Sequence, residues 1–311
     1  MSQDNILKLQ ADEASKEGYF ERAIDLYEKA LAINPDNTSV FLPLAKTYKF
    51  NNDYKNAIKY FEKALAIEPE DIENRTLLGE CYKNNGQYTK AKLQFEQVLG
   101  QRPNYDFAKR NLLETENYLL ALVDPLKARE EKQKTAQENL NQAVKLACSF
   151  FPRRFFRDMQ DIVVSFNKTA SMAGRANIAQ YEHNKREITV MDDYVYANPV
   201  LVASYIVHEN IHAKDNDPYT SIREEQDAYR KQCEFWIKHG NGIEDPEMDF
   251  VVGLYKKSAE DLDRRVAEVY RLRDKNIPET SYNHPPSNKK IAATTSLSSG
   301  TKPLKAYDII A

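Results

Sequence analysis

Small and aromatic residues recur along the first hundred residues at a constant offset. Three segments, each 34 residues after the last, align as Gly18, Phe20, Ala23, Tyr27, Ala30 and Pro35; Asn52, Tyr54, Ala57, Phe61, Ala64 and Pro69; and Gly86, Tyr88, Ala91, Phe95, Val98 and Pro103. Spacings of three and four residues within a segment predict a helix. The small positions let two helices approach closely, and the proline ends the second helix. The pattern therefore predicts a helix pair that is repeated three times.

This 34-residue spacing closely resembles the tetratricopeptide repeat. The three units span roughly residues 5–105, and residues 106–123 keep helical spacing without a second half, as a terminal capping helix does. The resemblance implies a curved α-solenoid over residues 1–123 whose concave groove binds a protein or peptide partner. An array that serves only as a rigid stalk or oligomer contact is the alternative. The lysine and asparagine clamp of arrays that bind chaperone tails is not found, so no particular partner is indicated.

The composition of the chain changes after the repeats. Residues 124–142 are charged and predict an exposed connecting helix. Aromatic and β-branched residues then predict a second domain over residues 143–275, which ends with a helical packing pattern at residues 249–273. Residues 276–311 are rich in Pro, Ser, Thr and Lys and predict a flexible tail. The predicted fold class is mainly α, a repeat solenoid followed by a small α+β domain.

Charge and cysteine content exclude several classes of function. The chain has 44 Lys and Arg against 47 Asp and Glu, a net charge of −3, so nucleic acid is not expected as a partner. The start of the chain lacks the pattern of a secretory signal, and no apolar run is long enough for a membrane-spanning helix. Cys81, Cys148 and Cys233 lie far apart, as reduced buried thiols do. We therefore expect a cytoplasmic globular protein outside the membrane, whose oligomeric state the sequence leaves open.

One motif in the second half carries chemistry. An apolar run over residues 199–207, interrupted only by Ser204, leads into residues 208–212, which read H-E-N-I-H. Residues four apart share one face of a helix, so both imidazoles can reach one metal ion while Glu209 projects beside it towards a water. Two ordinary buried histidines on a helix are the alternative interpretation. The glutamates near the histidines favour the metal site, with Zn²⁺ as its cofactor.

Zinc bound by His208 and His212 usually takes a third protein ligand, and two adjacent glutamates are candidates. Ser221 to Glu224 read S-x-x-E, a capping box in which the Glu224 side chain returns to the Ser221 amide. Glu225 instead lies on the mostly uncharged face of the same predicted helix, where a buried ligand is expected. Glu225 is therefore the favoured third ligand, and Glu224 remains an alternative.

Residues 173–238 resemble the core of a zincin metallopeptidase with glutamate as the third ligand. Asp215 and Pro218 stand where the metzincin pattern requires glycine and histidine, so the gluzincin-like pattern fits better. Residues 186–191 alternate as a strand does and resemble the sheet strand before the active-site helix, with residues 174–181 as a possible antiparallel neighbour. The resemblance implies a small α+β domain with a peptidase site.

The zincin resemblance implies a zinc-dependent peptidase, in which Glu209 accepts the proton of the attacking water and later returns it to the leaving amine. Four residues are candidates for stabilising the oxyanion: Tyr181, Tyr229, Tyr255 and His239. Asp215 or Asp227 could orient a ligand histidine, but exposed carboxylates are usually only solvated, and that interpretation is favoured. The alternative function is a non-enzymatic adaptor, in which the repeats bind a partner and the second domain is structural or inactive.

Overall fold

The computed structural model describes residues 1–152, 155, 161–167, 178–215, 221–273 and 304–305. The helices in these ranges are α1 (Gln3–Lys16), α2 (Phe20–Ile33), α3 (Phe41–Phe50), α4 (Tyr54–Ile67), α5 (Ile72–Asn84), α6 (Tyr88–Gln101), α7 (Asp106–Val123), α8 (Pro125–Phe150), α9 (Pro199–Asp215), α10 (Ile222–His239), α11 (Pro246–Lys257) and α12 (Ala259–Arg273). The strands are β1 (Val163–Asn167), β2 (Ala179–Glu182), β3 (Glu187–Met191) and β4 (Leu304–Lys305). The described residues are mainly helical, with one small sheet.

The chain divides into two compact units. The first unit contains Met1–Pro103 and Asn111–Val123, and the second contains Asn104–Arg110 and Asp124–Ala311. The division therefore falls inside α7, the helix predicted to cap the repeat array, because the first residues of this helix belong to the second unit.

In the first unit, the turn between the two helices of each pair uses the same backbone conformation. Gly18, Asn52 and Gly86 have positive φ angles of 84°, 60° and 73°. Glycine adopts this left-handed region without a Cβ clash, and asparagine is among the few other residues that tolerate it. The three residues are 34 positions apart, so the predicted helix pairs and their register are confirmed.

The repeated small and aromatic positions form the core of the first unit. The buried residues at these positions are Ala23, Ala57 and Ala91 together with Tyr27, Phe61 and Phe95. Gly79 of α5 faces the last of these aromatic rings, and a Cβ placed on it would lie 2.8 Å from Phe95 Cε1. Close approach of α5 and α6 therefore depends on the missing side chain.

Polar contacts between neighbouring repeats also recur. One type is a tyrosine hydroxyl that donates to a glutamate of the preceding helix, and the other is a lysine–glutamate ion pair between successive first helices. The hydrogen bonds join Tyr48 to Glu28 and Tyr82 to Glu62, and the ion pairs join Lys49 to Glu80 and Lys83 to Glu114. Each pair is 34 positions from its equivalent, so a repeat encodes its own connections to its neighbour.

The predicted boundary between a connecting helix over residues 124–142 and a domain beginning at residue 143 falls inside α8, which is continuous from Pro125 to Phe150. One face of α8 is charged and exposed, as predicted. The other face is apolar and packs into the core of the second unit through Ala136, Leu140, Ala143, Val144 and Ala147. Because these residues follow helical spacing, the core begins well before residue 143.

The sheet of the second unit has the strand order β2-β3-β1-β4. β2 is antiparallel to β3, as predicted for the described part of residues 174–181, and residues 174–177 lie outside the described residues. β1, which the sequence analysis did not predict, is parallel to β3. β4 pairs with the edge of β1, although it lies in the predicted flexible tail. The remaining tail residues, 276–303 and 306–311, are outside the described part of the chain.

α9 is the central helix of the second unit. It contacts α8, α10, β2 and β3, and every residue from Leu201 to Asn210 is buried. An apolar helix that is covered on all sides is typical of a core. The H-E-x-x-H motif is therefore enclosed by the fold.

No helix among those described is both long and apolar enough to cross a membrane.

Gly79→Ala is expected to lower the free energy of unfolding of the first unit by about 1–2 kcal/mol, because overpacking against Phe95 outweighs the gain in helix propensity. Gly100→Ala is the matched control. Gly100 lies in α6 with no atom near its would-be Cβ, and the substitution should stabilise by about 0.4–1 kcal/mol. Urea unfolding followed by circular dichroism measures both. Equal effects of the two substitutions would contradict close packing at Gly79.

Candidate metal centre

Three predicted side chains converge where α9 passes the first turn of α10. His208, His212 and Glu225 each offer a ligand atom, and these atoms lie within 4.8 Å of one another. His208 Nε2 is 3.4 Å from Glu225 Oε2, and His212 Nε2 is 3.6 Å from Glu225 Oε1. All three residues are buried. Two imidazoles and one carboxylate form a set that could hold a metal ion such as zinc.

Both imidazoles turn Nε2 towards Glu225 because Nδ1 is held from the other side. His208 Nδ1 lies 3.2 Å from Gln232 Oε1, and His212 Nδ1 lies 2.8 Å from Glu224 Oε1. With oxygen acceptors at Nδ1, each ring donates there and keeps Nε2 for a ligand. Glu225 Oε2 is buried without a hydrogen-bond partner among the described residues. These groups fit a cation placed between them.

Glu224 does not complete the predicted capping box. Ser221 Oγ accepts the backbone N–H of Glu224 at 3.2 Å, so the predicted serine cap is present. The Glu224 carboxylate, however, accepts from His212 Nδ1 and does not return to the Ser221 amide. It lies on the side of the ring away from Glu225. Glu224 is therefore placed to orient His212, and Glu225 is the glutamate that faces Nε2 of both histidines.

Of the two aspartates considered for orienting a histidine, Asp227 is solvated, as the favoured interpretation expected. The Asp227 side chain is 58% exposed and lies 3.6 Å from Arg230. The side chain of Asp215 lies outside the described residues. Gln232 and Glu224 hold the histidines in their place. Gln232 is two helical turns after Glu225 and therefore lies on the same face of α10. This spacing is the feature of the sequence that could have indicated its contact with His208.

The four oxyanion candidates lie at different distances from the centre. The Tyr229 ring meets the His208 ring edge-on, with centroids 4.6 Å apart. The helical rise of about 1.5 Å per residue places His239 about 21 Å along α10 from Glu225. The His239 ring stacks on Phe235. Tyr255 of α11 packs against the core of the second unit. The structure therefore separates His239 from the site and places Tyr229 against it.

Glu209 lies at the edge of β2 that faces away from β3. Its Oε2 accepts the backbone N–H of Tyr181 at 2.7 Å. Met191 N donates to Ile178 O at 2.8 Å, so alternate residues of this segment face β3, and the N–H of Tyr181 points away from it. β2 is also the last strand in the sheet order. The Glu209 carboxylate thus joins the buried centre to the backbone of an edge strand.

A tyrosine that no sequence motif indicated also reaches the centre. Tyr270 of α12 hydrogen-bonds to the Glu225 side chain. Its helix was predicted only from its apolar positions, and that pattern gives no sign of a polar role. α12 is fixed against α10 by Arg230, whose Nε donates to Asp263 Oδ1 at 2.9 Å. This contact brings Tyr270 over the first turn of α10.

Carboxylates dominate the electrostatics of the centre. Burial alone would lower the pKa of His212, but its hydrogen bond to the Glu224 carboxylate and the charges of Glu225 and Glu209 raise this pKa to about 9. Burial would raise the pKa of Glu225, but its contacts with His208 and His212 and the hydrogen bond from Tyr270 hold the pKa below its usual value. The centre therefore attracts positive charge.

Comparisons with known proteins bear on the first unit. Tetratricopeptide-repeat family models match residues 9–37 and residues 50–113. The predicted tetratricopeptide repeats are therefore confirmed, and neither match extends beyond residue 113. Among curated protein sequences, none matches this chain.

Solved structures that are similar to part of the chain include two TPR domains. The Sgt2 TPR domain from Aspergillus fumigatus is 25% identical, with 39% of this chain and 82% of that one covered and a TM-score of 0.34. MamA MSR-1 is 24% identical, with coverage of 41% and 73% and a TM-score of 0.37. The first TPR of Spaghetti (RPAP3), bound to an HSP90 peptide, is 23% identical, with coverage of 38% and 93% and a TM-score of 0.34.

In the presence of a chelator, the stability of the second unit is expected to fall as the pH rises from 6.5 to 9. The pKa of His212 is higher in the folded chain than in the unfolded chain. The charged ring therefore contributes its full stabilisation below the pKa that His212 has in the unfolded chain, and this contribution is lost as the pH rises through about 9. Glu224→Gln should weaken this dependence, whereas Asp227→Asn should leave it unchanged. Urea unfolding across this pH range measures the effect. The same slope in all three proteins would contradict the assignment.

Proposed function

We propose that the second unit is a zinc-dependent peptidase and that the repeat unit binds its protein partner or substrate. The observation that carries the proposal is the convergence of His208, His212 and Glu225, with the Glu209 charge near enough to raise the pKa of His212. A structural zinc site usually closes its fourth position with a protein ligand, and it does not need a carboxylate placed to accept a proton. The arrangement here supports hydrolysis over a purely structural site.

Some residues of the centre would bind the zinc ion, and others hold these ligands in place. Nε2 of His208, Nε2 of His212 and the Glu225 carboxylate would hold the zinc ion. Bound zinc would supply a Lewis acid that polarises a carbonyl and acidifies a water. Tyr270 hydrogen-bonds to the Glu225 carboxylate and Glu224 holds His212, so the ligands are kept in place by neighbouring helices.

Glu209 would act as the general base and then as the general acid. It accepts a proton from the attacking water at its carboxylate and returns that proton to the leaving nitrogen. The Tyr181 N–H holds Oε2, which leaves Oε1 for the water. Glu209 is only 8% exposed, and exclusion of bulk water keeps the transferred proton on this path.

The edge of β2 that faces away from β3 favours a peptide as the substrate. Residues 179 and 181 point their backbone groups away from β3. The Tyr181 N–H is held by Glu209, and the remaining groups of this edge can pair with an extended peptide as an added strand. This edge lies directly beside Glu209. A peptide bound there would present its own amide groups to the carboxylate.

The repeat unit would supply the binding function. Support comes from the family models that match residues 9–37 and 50–113, because repeats of this kind usually bind peptides or proteins. Two lysines of the first helices are already paired: Lys49 lies 3.1 Å from Glu80, and Lys83 Nζ donates to Asn111 Oδ1 at 2.7 Å and also contacts Glu114. These pairings disfavour an acidic peptide as the partner.

A non-enzymatic adaptor is the second candidate function. The family matches to the repeats favour it, because they fall on the unit expected to bind a partner. In that case the second unit would be a structural or inactive domain. The Tyr181–Glu209 hydrogen bond is also compatible with a structural role, since it joins α9 to β2. The two candidates differ in what Glu209 must do.

Glu209→Gln is expected to retain one zinc ion per chain and to lower peptide hydrolysis by about 10²–10⁴-fold, because the amide cannot accept the proton. Elemental analysis measures the zinc, and cleavage of a mixed peptide library followed by mass spectrometry measures the activity. His212→Ala should lose both zinc and activity.

Glu234→Gln is the matched control for this substitution. Glu234 lies on α10 and pairs with Lys231 at 2.6 Å, outside the centre. Its replacement should change neither zinc content nor cleavage. A wild-type chain that binds zinc but cleaves no peptide in the library would favour the adaptor. Cleavage by Glu209→Gln at the wild-type rate would remove Glu209 from the proposed mechanism.

A further inference from the structure

The two histidines of the centre are held by different chemical groups. His212 donates to the carboxylate of Glu224, which has only acceptor oxygens when ionised. His208 faces the amide of Gln232, which has an acceptor oxygen at one end and a donor nitrogen at the other. The orientation of this amide therefore decides which nitrogen of His208 carries the hydrogen.

Ser204 sets the orientation of the Gln232 amide. Ser204 Oγ lies 2.7 Å from Leu201 O and 3.8 Å from Met248 Sδ, and its single hydrogen is donated to one of these acceptors. The hydroxyl oxygen is thus left to accept from Gln232 Nε2 at 3.4 Å. Gln232 Nε2 also lies 3.3 Å from Met248 Sδ, a second and weaker acceptor. Both contacts fix the donor end of the amide away from His208.

The opposite end of the amide then determines the tautomer of His208. Gln232 Oε1 accepts from His208 Nδ1 at 3.2 Å, so the hydrogen is on Nδ1. His208 Nε2, 3.4 Å from Glu225 Oε2, then keeps its lone pair for a cation bound between the two atoms. In the opposite tautomer the hydrogen would be on Nε2, and that nitrogen could not bind a metal ion.

We propose that Ser204 and Gln232 are positioning residues that fix His208 in the tautomer competent for zinc. This inference depends on the proposed zinc site. Ser204 is fully buried and Gln232 is 2% exposed, so bulk water does not replace a lost contact in this chain of hydrogen bonds. Ser204 acts on the metal ligand through a neighbouring helix, since it lies on α9 and Gln232 lies on α10.

Ser204→Ala in the full-length chain is the first test. Without the hydroxyl the Gln232 amide can rotate and present its nitrogen to His208, so both tautomers become populated. The zinc dissociation constant is expected to rise by about 10–100-fold, the range typical of lost contacts to metal ligands. Competition with a chromophoric chelator measures it. Ser204→Thr keeps the hydroxyl and should restore affinity to within a few-fold of wild type.

The tautomer itself can be measured without zinc. Nitrogen-15 chemical shifts of the metal-free chain distinguish Nδ1–H from Nε2–H imidazole, and with 5 histidines in the sequence the His208 signals can be assigned by substitution. Wild type should show the Nδ1–H form, and Ser204→Ala should show a mixture. A change in stability alone would not produce this result.

Two further variants separate the tautomer from general loss of packing. Gln232→Leu removes the acceptor and should weaken zinc binding by a similar factor, which keeps the test available if Ser204→Ala does not fold. Thr115→Val is the matched control. Thr115 is a fully buried residue of the first unit whose hydroxyl donates to Asn111 O at 2.6 Å, and its loss should leave zinc affinity unchanged. Circular dichroism establishes that each variant is folded.

The outcomes distinguish this inference from the proposed function. Wild-type zinc affinity and an unchanged tautomer in folded Ser204→Ala would overturn the positioning role while leaving the zinc site intact. A wild-type chain that binds no zinc would overturn the proposed function, and the nitrogen-15 spectra would still decide whether Ser204 and Gln232 set the tautomer. An Nε2–H form of His208 in the wild type would overturn the inference directly.

Discussion

The second unit depends on one constraint, the burial of polar side chains between α9 and α10. α9 is covered by helices and strands on all sides, so its histidines and its glutamate are removed from water. Each buried polar group costs free energy unless it finds a partner. α10 supplies these partners from one face, with Glu224 and Glu225 in the first turn and Gln232 two turns later. Rotation of either helix about its axis would break the whole set of contacts.

The spacing of the motif was sufficient to place two imidazoles on one side of α9, because helical geometry alone determines it. The roles of Glu224 and Glu225 were harder to predict. Adjacent residues on a helix point about 100° apart, so only the packing of α10 against α9 decides which carboxylate meets Nδ1 and which meets Nε2. Ser204 was visible as the single polar residue in an apolar run. Its contact with Gln232 crosses between helices, which periodicity within one helix does not report.

The register of the three repeats was predictable because the same steric constraints recur three times in the sequence. A left-handed turn residue, a small residue and an aromatic return at a fixed offset, and each has a steric reason. The first and last residues of α8 were not predictable in this way. Its charged face is conspicuous in the sequence, whereas Ala136 and Ala143 on its buried face resemble ordinary helix formers. A charge run therefore indicated which side was solvated and not where the helix ended.

The recurring contacts of the first unit have a consequence for how such a chain can evolve. Tyr48 and Tyr82 bond to equivalent glutamates, and Lys49 and Lys83 pair with equivalent partners, always one repeat away. A gene duplication or deletion of one whole repeat would regenerate both contacts at the new junction without compensating substitutions. The polypeptide can therefore gain or lose helix pairs in whole units. Most other insertions of similar length would require new packing on both sides.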